Sequence, residues 1–160
     1  MKVPDVLTHF MIGASLAFLV RMDGPRSEQM LIVLGSILLD IERPLSWALS
    51  YTPFNWIELS SGFHSIIGAL VLACFAAICF ELETTDFRTR FYLLLIGCTS
   101  HLLLDLIMYP WKELGLQLLY PLKERFSLHL LWPDFLWYPL FGLSLLLIIL
   151  CIRIIIHRLD

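Results

Sequence analysis

The chain has 160 residues, 59% of them hydrophobic and 16% charged, with a net charge of −3 and a mean hydropathy of +0.81. A soluble domain of this size needs far more polar surface, so lipid is the solvent expected around much of the exterior. The charge is dispersed without a basic stripe, so no nucleic-acid partner is expected.

No linker, low-complexity tract or fixed-period repeat divides the sequence, and residues 1–160 read as a single membrane-embedded domain. A bilayer core of about 30 Å takes roughly 17–25 helical residues. The first expected helix runs from about Val6 to Arg21 and breaks at Gly24-Pro25. Lys2 before this apolar run imitates a secretory leader, but no small-residue cleavage site follows, which predicts an uncleaved helix. A second helix covers about Gln29 to Asp40, with a continuation past Pro44 towards Leu49. The third spans about His64 to Leu82, the fourth about Arg90 to Tyr109 and the fifth about Phe135 to Ile156. The expected fold is therefore all-α, an integral membrane bundle of about five helices, the first two short enough to require tilt or burial. Cys74, Cys79, Cys98 and Cys151 lie in apolar runs without CxxC spacing and read as packing residues.

If all five helices cross, the amino terminus, the 41–63 loop and the 110–134 loop share one side, here side A. Side A carries Lys2, Arg43, Lys112, Lys123 and Arg125, against Arg21, Arg26, Arg88, Arg90, Arg153 and Arg158 on side B. Counted by the positive-inside rule, this narrow margin sets side B in the cytoplasm and side A outside it, in the inner membrane.

The ionisable residues outside the obvious loops collect at the side A level. His9 opens the first helix there, Asp40 ends the second, His64 opens the third, and His101 and Asp105 occupy the last third of the fourth. Taken singly, His9 reads as an interfacial residue, whereas Asp40 reads equally as a hydrated helix-end carboxylate beside Glu42 and Arg43 or as a ligand, and His64 equally as a polar cap or as a ligand. His101 and Asp105 differ, because ionisable groups inside an apolar helix cost about 2.5–3.5 kcal/mol even for one central Asp. Their i, i+4 spacing also puts both on one face, about 40° apart, within reach of one ion.

Imidazole with carboxylate suits zinc or another divalent transition metal, whereas calcium or magnesium would favour oxygen alone. The inventory accommodates one ion or two. A catalytic zinc keeps a position open for water and lowers its pKa to about 7, which supports metal-assisted hydrolysis. GxSxG, HExxH, GxGxxG and phosphate-loop motifs are all lacking. Ser36, Ser65 and Ser100 lie near the candidate ligands, either as hydrogen-bond donors to them or as small residues that allow close packing. The 110–133 loop carries Trp111, Tyr120, Trp132, Lys112, Lys123 and Arg125, the makeup of a segment in the headgroup layer. His129 within it is a further candidate ligand, although Pro133 breaks the geometry it would need with Asp134.

These residues resemble the YdjM-like family of membrane-bound, metal-dependent hydrolases. In order, the matching pieces are Thr8-His9 with Gly13, Gly35 to Asp40 and Glu42, Gly62-Phe63-His64-Ser65, Gly97 to His101 and Asp105, and Gly115 to Tyr120-Pro121. The family is in turn similar to zinc-dependent phospholipases C and zinc single-strand nucleases. That resemblance implies a zinc ion among Asp40, His64, His101 and Asp105, a second one helped by His9 and Asp105, and a phosphoester substrate such as a phospholipid headgroup. No match exists for the ligands of a third ion. The family's Pro-Asp-x-Asp is Leu39-Asp40-Ile41-Glu42 here, and its His-Arg-Gly is Ser60-Ser61-Gly62, which removes a ligand or a phosphate contact.

The function expected is a zinc-dependent, membrane-embedded hydrolase in which Asp40 or Glu42 deprotonates the attacking water, with membrane lipid as partner. Two other readings stand beside it: an ion or proton transporter lined by His101 and Asp105, and a catalytically silent scaffold clamped by metal. The sequence favours no particular oligomeric state.

Overall fold

The structure, a computed structural model, describes residues 6–21, 24–48, 61–83, 85–107, 115–128, 130 and 137–159. Among them the regular elements are α1 (Val6–Val20), α2 (Arg26–Leu38), a 3-10 turn (Leu39–Ile41), α3 (Glu42–Ala48), α4 (Ile66–Cys79), α5 (Phe87–Ile107) and α6 (Trp137–Leu159). The five long helices agree with the all-α bundle expected, α3 adds a short one, and no extended strand occurs among the described residues.

α5 and residues Tyr138–Ile156 of α6 are long and apolar enough to cross a bilayer. At 1.5 Å per residue they reach about 30 Å, while the 15 residues of α1 and the 14 of α4 reach only about 22 Å. The outer faces carry Phe10 on α1, Val71, Phe75 and Ile78 on α4, and Phe141, Ile148, Ile152 and Ile155 on α6, all exposed. Apolar exposure on this scale exceeds the patches that water-soluble monomers carry. Polar side chains turn inward instead: Thr8, His9, Ser15, Ser36, Ser65 and His101 are each at most 1% exposed.

Within the bundle α5 packs on α2 and α4, and α1 packs on α2 and α6. Close approach of backbones, rather than interlocking large side chains, makes the central contacts. A Cβ at Gly35 would run into Leu94 O, one at Gly97 would lie 2.6 Å from Ser36 N, and one at Gly13 2.5 Å from Ser36 Cβ. Small residues at such crossings let helices exploit dispersion where lipid offers no hydrophobic drive between them. Beside this seam Ala69, Ala73, Ile32, Leu94 and Cys98 form an apolar core layer.

Two helices differ in extent from the sequence expectation for local reasons. The second helix does not continue unbroken past Pro44 but passes through the 3-10 turn into α3. Proline lacks an N–H and its ring crowds the carbonyl four residues earlier, here Asp40, yet it is tolerated in the first turn of a new helix. The third helix is shorter than His64–Leu82. Ser65 caps its start, its hydroxyl accepting from Gly68 N at 2.9 Å and donating to Gly62 O at 2.7 Å. At the other end the buried Arg90 side chain reaches across from α5 and donates to Ala77 O at 3.1 Å, and it also contacts Leu82 O and Thr85 O. A cation there satisfies carbonyls that the helix end leaves without partners. Ahead of α5, a hydrogen bond from the Thr89 side chain holds the exposed Asp86 carboxyl below its ordinary range.

Residues 115–128 fold back on themselves, with Leu116 and Phe126 exchanging two backbone hydrogen bonds of 2.8 Å. Ile66 N donates to Leu118 O at 3.0 Å and Leu128 N to Leu106 O at 2.8 Å. The segment thereby joins the start of α4 to the end of α5 at one end of the bundle, with Leu122, Lys123, Arg125 and Leu128 exposed. The remaining parts of the expected 110–133 interfacial loop, including Trp111, Lys112, His129 and Trp132, lie outside the described residues.

Candidate metal centre

Chain direction delivers the five candidate ligands to one end of the bundle. His9 is in the first turn of α1, Asp40 is in the 3-10 turn that follows α2, His64 precedes the Ser65 cap of α4, and His101 and Asp105 lie in the last two turns of α5. The close Gly13–Ser36 and Gly35–Gly97 crossings then turn the right faces towards one another.

His101 is fixed first. Its Nδ1 is 2.7 Å from Ser36 O. A carbonyl only accepts, so Nδ1 carries the proton and Nε2 presents its lone pair. Ser36 has a carbonyl to offer because it lies in the last turn of α2, where the regular ladder stops. The Ser36 hydroxyl is used elsewhere, donating to Val33 O at 2.7 Å, as the Ser100 hydroxyl does to Gly97 O. Thus the serine backbone orients the histidine, and a side-chain search of the sequence has no signal for it.

Asp105 occupies the middle. Its Oδ1 is 3.3 Å from His9 Nε2, and its Oδ2 is 3.3 Å from His101 Nε2 and 3.9 Å from His64 Nε2. The His9 and His101 rings stack with centroids 3.6 Å apart. On the other side of His101, His64 Nε2 is 3.8 Å from Asp40 Oδ1. Two sets of ligand atoms result, His9 with His101 and Asp105, and Asp40 with His64 and His101, the atoms of each within 4.8 Å of one another. His101 belongs to both. Glu42, the remaining sequence candidate, is buried at the start of α3 next to this end of the bundle.

The donor set fits a divalent transition metal. Atoms bound at about 2.0–2.1 Å in tetrahedral geometry lie about 3.3–3.4 Å apart, close to the His–Asp spacings here. Furthermore His9 Nε2, His101 Nε2, Asp105 Oδ1 and Asp40 Oδ2 are buried without a hydrogen-bond partner, because the contacts at ion-pair distance lack hydrogen-bond geometry. Each such atom costs roughly 1–3 kcal/mol if nothing binds it. Together they form a cradle of lone pairs and carboxylate charge that a cation satisfies.

A cation also touches the cluster. Arg43 Nη2 is 2.9 Å from Asp40 Oδ1, an i, i+3 ion pair. The Arg43 side chain is 31% exposed, with its Nε buried, whereas the Asp40 side chain is 3% exposed, so Arg43 sits on the outer edge of the cluster. The i, i+3 spacing was the available signal.

No curated protein and no solved structure shows significant similarity to the chain. The family model described as YdjM inner membrane protein matches residues 5–158. That match takes in all five candidate ligands and every helix except the last residue of α6, and it agrees with a bundle whose outer faces are apolar and whose candidate ligands are buried. This membrane protein belongs to the YdjM inner membrane protein family.

Proposed function

We propose that the protein is a membrane-embedded, zinc-dependent hydrolase of a phosphoester, with a phospholipid headgroup as the favoured substrate. The observation that carries the reading is the convergence of three imidazoles and two carboxylates from four segments of the chain, with His9 Nε2, His101 Nε2, Asp105 Oδ1 and Asp40 Oδ2 buried without a hydrogen-bond partner. The phosphoester rests on the resemblance to zinc phospholipases, and the lipid on a site at one end of a lipid-facing bundle.

His9, His64, His101, Asp105 and Asp40 hold one or two zinc ions, and Ser36 O keeps His101 in the tautomer that binding needs. The bound ion supplies Lewis acidity and positive charge for the developing phosphoryl oxygens. Asp40, whose Oδ2 has no hydrogen-bond partner, accepts the proton of the attacking water, with Glu42 as the neighbouring alternative. The exposed leucines and bases of the 115–128 segment suit a place in the headgroup layer beside the site. An ion path is the weaker reading, because the layer of Ala69, Ala73, Ile32, Leu94 and Cys98 beneath the cluster is apolar.

The reading predicts hydrolysis of phosphodiester or phospholipid substrates by protein in mild detergent, abolished by a chelator and restored by zinc. Metal-loaded protein that turns over no phosphoester overturns it and leaves the metal as a structural clamp.

A further inference from the structure

We infer that Arg43 is the anion-recognition residue of the site, contacting a phosphate oxygen of the substrate from the rim of the metal cluster. The inference rests on the hydrolase reading and adds to it the group that selects a negatively charged substrate.

Three observations on Arg43 lead there. Its guanidinium touches the cluster directly, Nη2 lying 2.9 Å from Asp40 Oδ1. It is the cluster's partly exposed member, at 31%, where His9, His101 and Asp40 are nearly sealed. Among the described residues, no lysine or other arginine has an ion pair with these ligands, whereas Lys123 and Arg125 are exposed on the 115–128 segment.

The chemistry of the side chain does the rest. A guanidinium carries five N–H donors in a planar fork, so an edge held by one carboxylate oxygen fixes the orientation in which the fork meets a second anion. Asp40 therefore acts as the brace of Arg43, and the start of α3 sets its height above the cluster. A phosphate oxygen that approaches the cluster past Arg43 would meet the same fork, and charge-assisted bonds to phosphate are the strongest such a side chain makes. A neutral ester gains nothing from this arrangement. The substrate class selected is a phosphate ester that retains an anionic oxygen, whether it arrives as a lipid headgroup or as a soluble phosphodiester.

The test is titration of inorganic phosphate into the full chain, zinc-loaded in mild detergent, for wild type, Arg43→Gln and Arg43→Lys, with zinc content measured for each. The expected result is phosphate binding weakened about tenfold or more in Arg43→Gln, partly recovered in Arg43→Lys, and equal zinc in all three. Competition then separates the two sources, since a short-chain phosphatidylglycerol displaces phosphate if the headgroup is recognised and a water-soluble phosphodiester does so if it is not. Unchanged phosphate affinity in Arg43→Gln at full zinc content overturns the inference while leaving the metal site intact. Loss of zinc in Arg43→Gln also overturns it, because Arg43 would then act only by positioning Asp40. Wild-type protein that takes up no zinc removes the hydrolase reading itself and the inference with it.

Discussion

Asp105→Asn is expected to lower zinc affinity by more than about 100-fold while leaving the helix packing in place. Loss of an outer partner of a metal ligand costs 10–100-fold, and Asp105 is a ligand candidate whose two oxygens face His9 and His101 at 3.3 Å. The amide is isosteric but uncharged, and it turns an N–H₂ towards one imidazole. Thermal melting separates this effect from misfolding. Zinc at about a thousand times its dissociation constant stabilises wild type by roughly 4 kcal/mol, and the variant gains almost none of that. In chelator the ordering reverses or levels out, because the variant has one carboxylate fewer in a cluster where Asp40 and Asp105 outnumber the single guanidinium of Arg43. A variant that still gains full stabilisation from zinc would remove Asp105 from the site.

Gly97→Val is expected to destroy the site without touching a ligand. Any Cβ at this position runs into Ile32 O and lies 2.6 Å from Ser36 N, both backbone atoms of α2 that cannot rotate away. The helices must separate, at a cost of about 1–3 kcal/mol or more for overpacking. Separation also withdraws Ser36 O from His101 Nδ1, now at 2.7 Å, and with it the orientation of the ligand shared by both sets. Lower melting temperature together with lost zinc is the predicted pair of results, read by scanning fluorimetry and elemental analysis. Zinc retained at the wild-type level would show that the α2–α5 crossing does not set the ligand geometry.

The depth of the site was legible in the sequence, and its angular arrangement was not. Depth depends on chain direction alone: five helices in alternation bring the start of α1, the end of α2, the start of α4 and the end of α5 to the same side. Rotation about each helix axis depends on which faces pack, and that is decided by Gly13, Gly35 and Gly97, whose role is a close approach visible only in three dimensions. Hydropathy gives no account of them, since α1 and α4 are apolar nearly all round. Helix ends were blurred for a related reason. α4 stops at Cys79 partly because Arg90, eleven positions on and in another helix, satisfies Ala77 O. Of the ligand environment, the His101–Asp105 pair announced itself by i, i+4 spacing, whereas the carbonyl of Ser36 is a backbone atom and carries no sequence signature.

The most direct test of the central claim, that these five side chains form one metal centre, is elemental analysis of wild-type protein purified in mild detergent. One or two zinc ions per chain, released by chelator and recovered on reconstitution, is the result predicted. Folded protein that retains no metal and takes up none when zinc is supplied would contradict it.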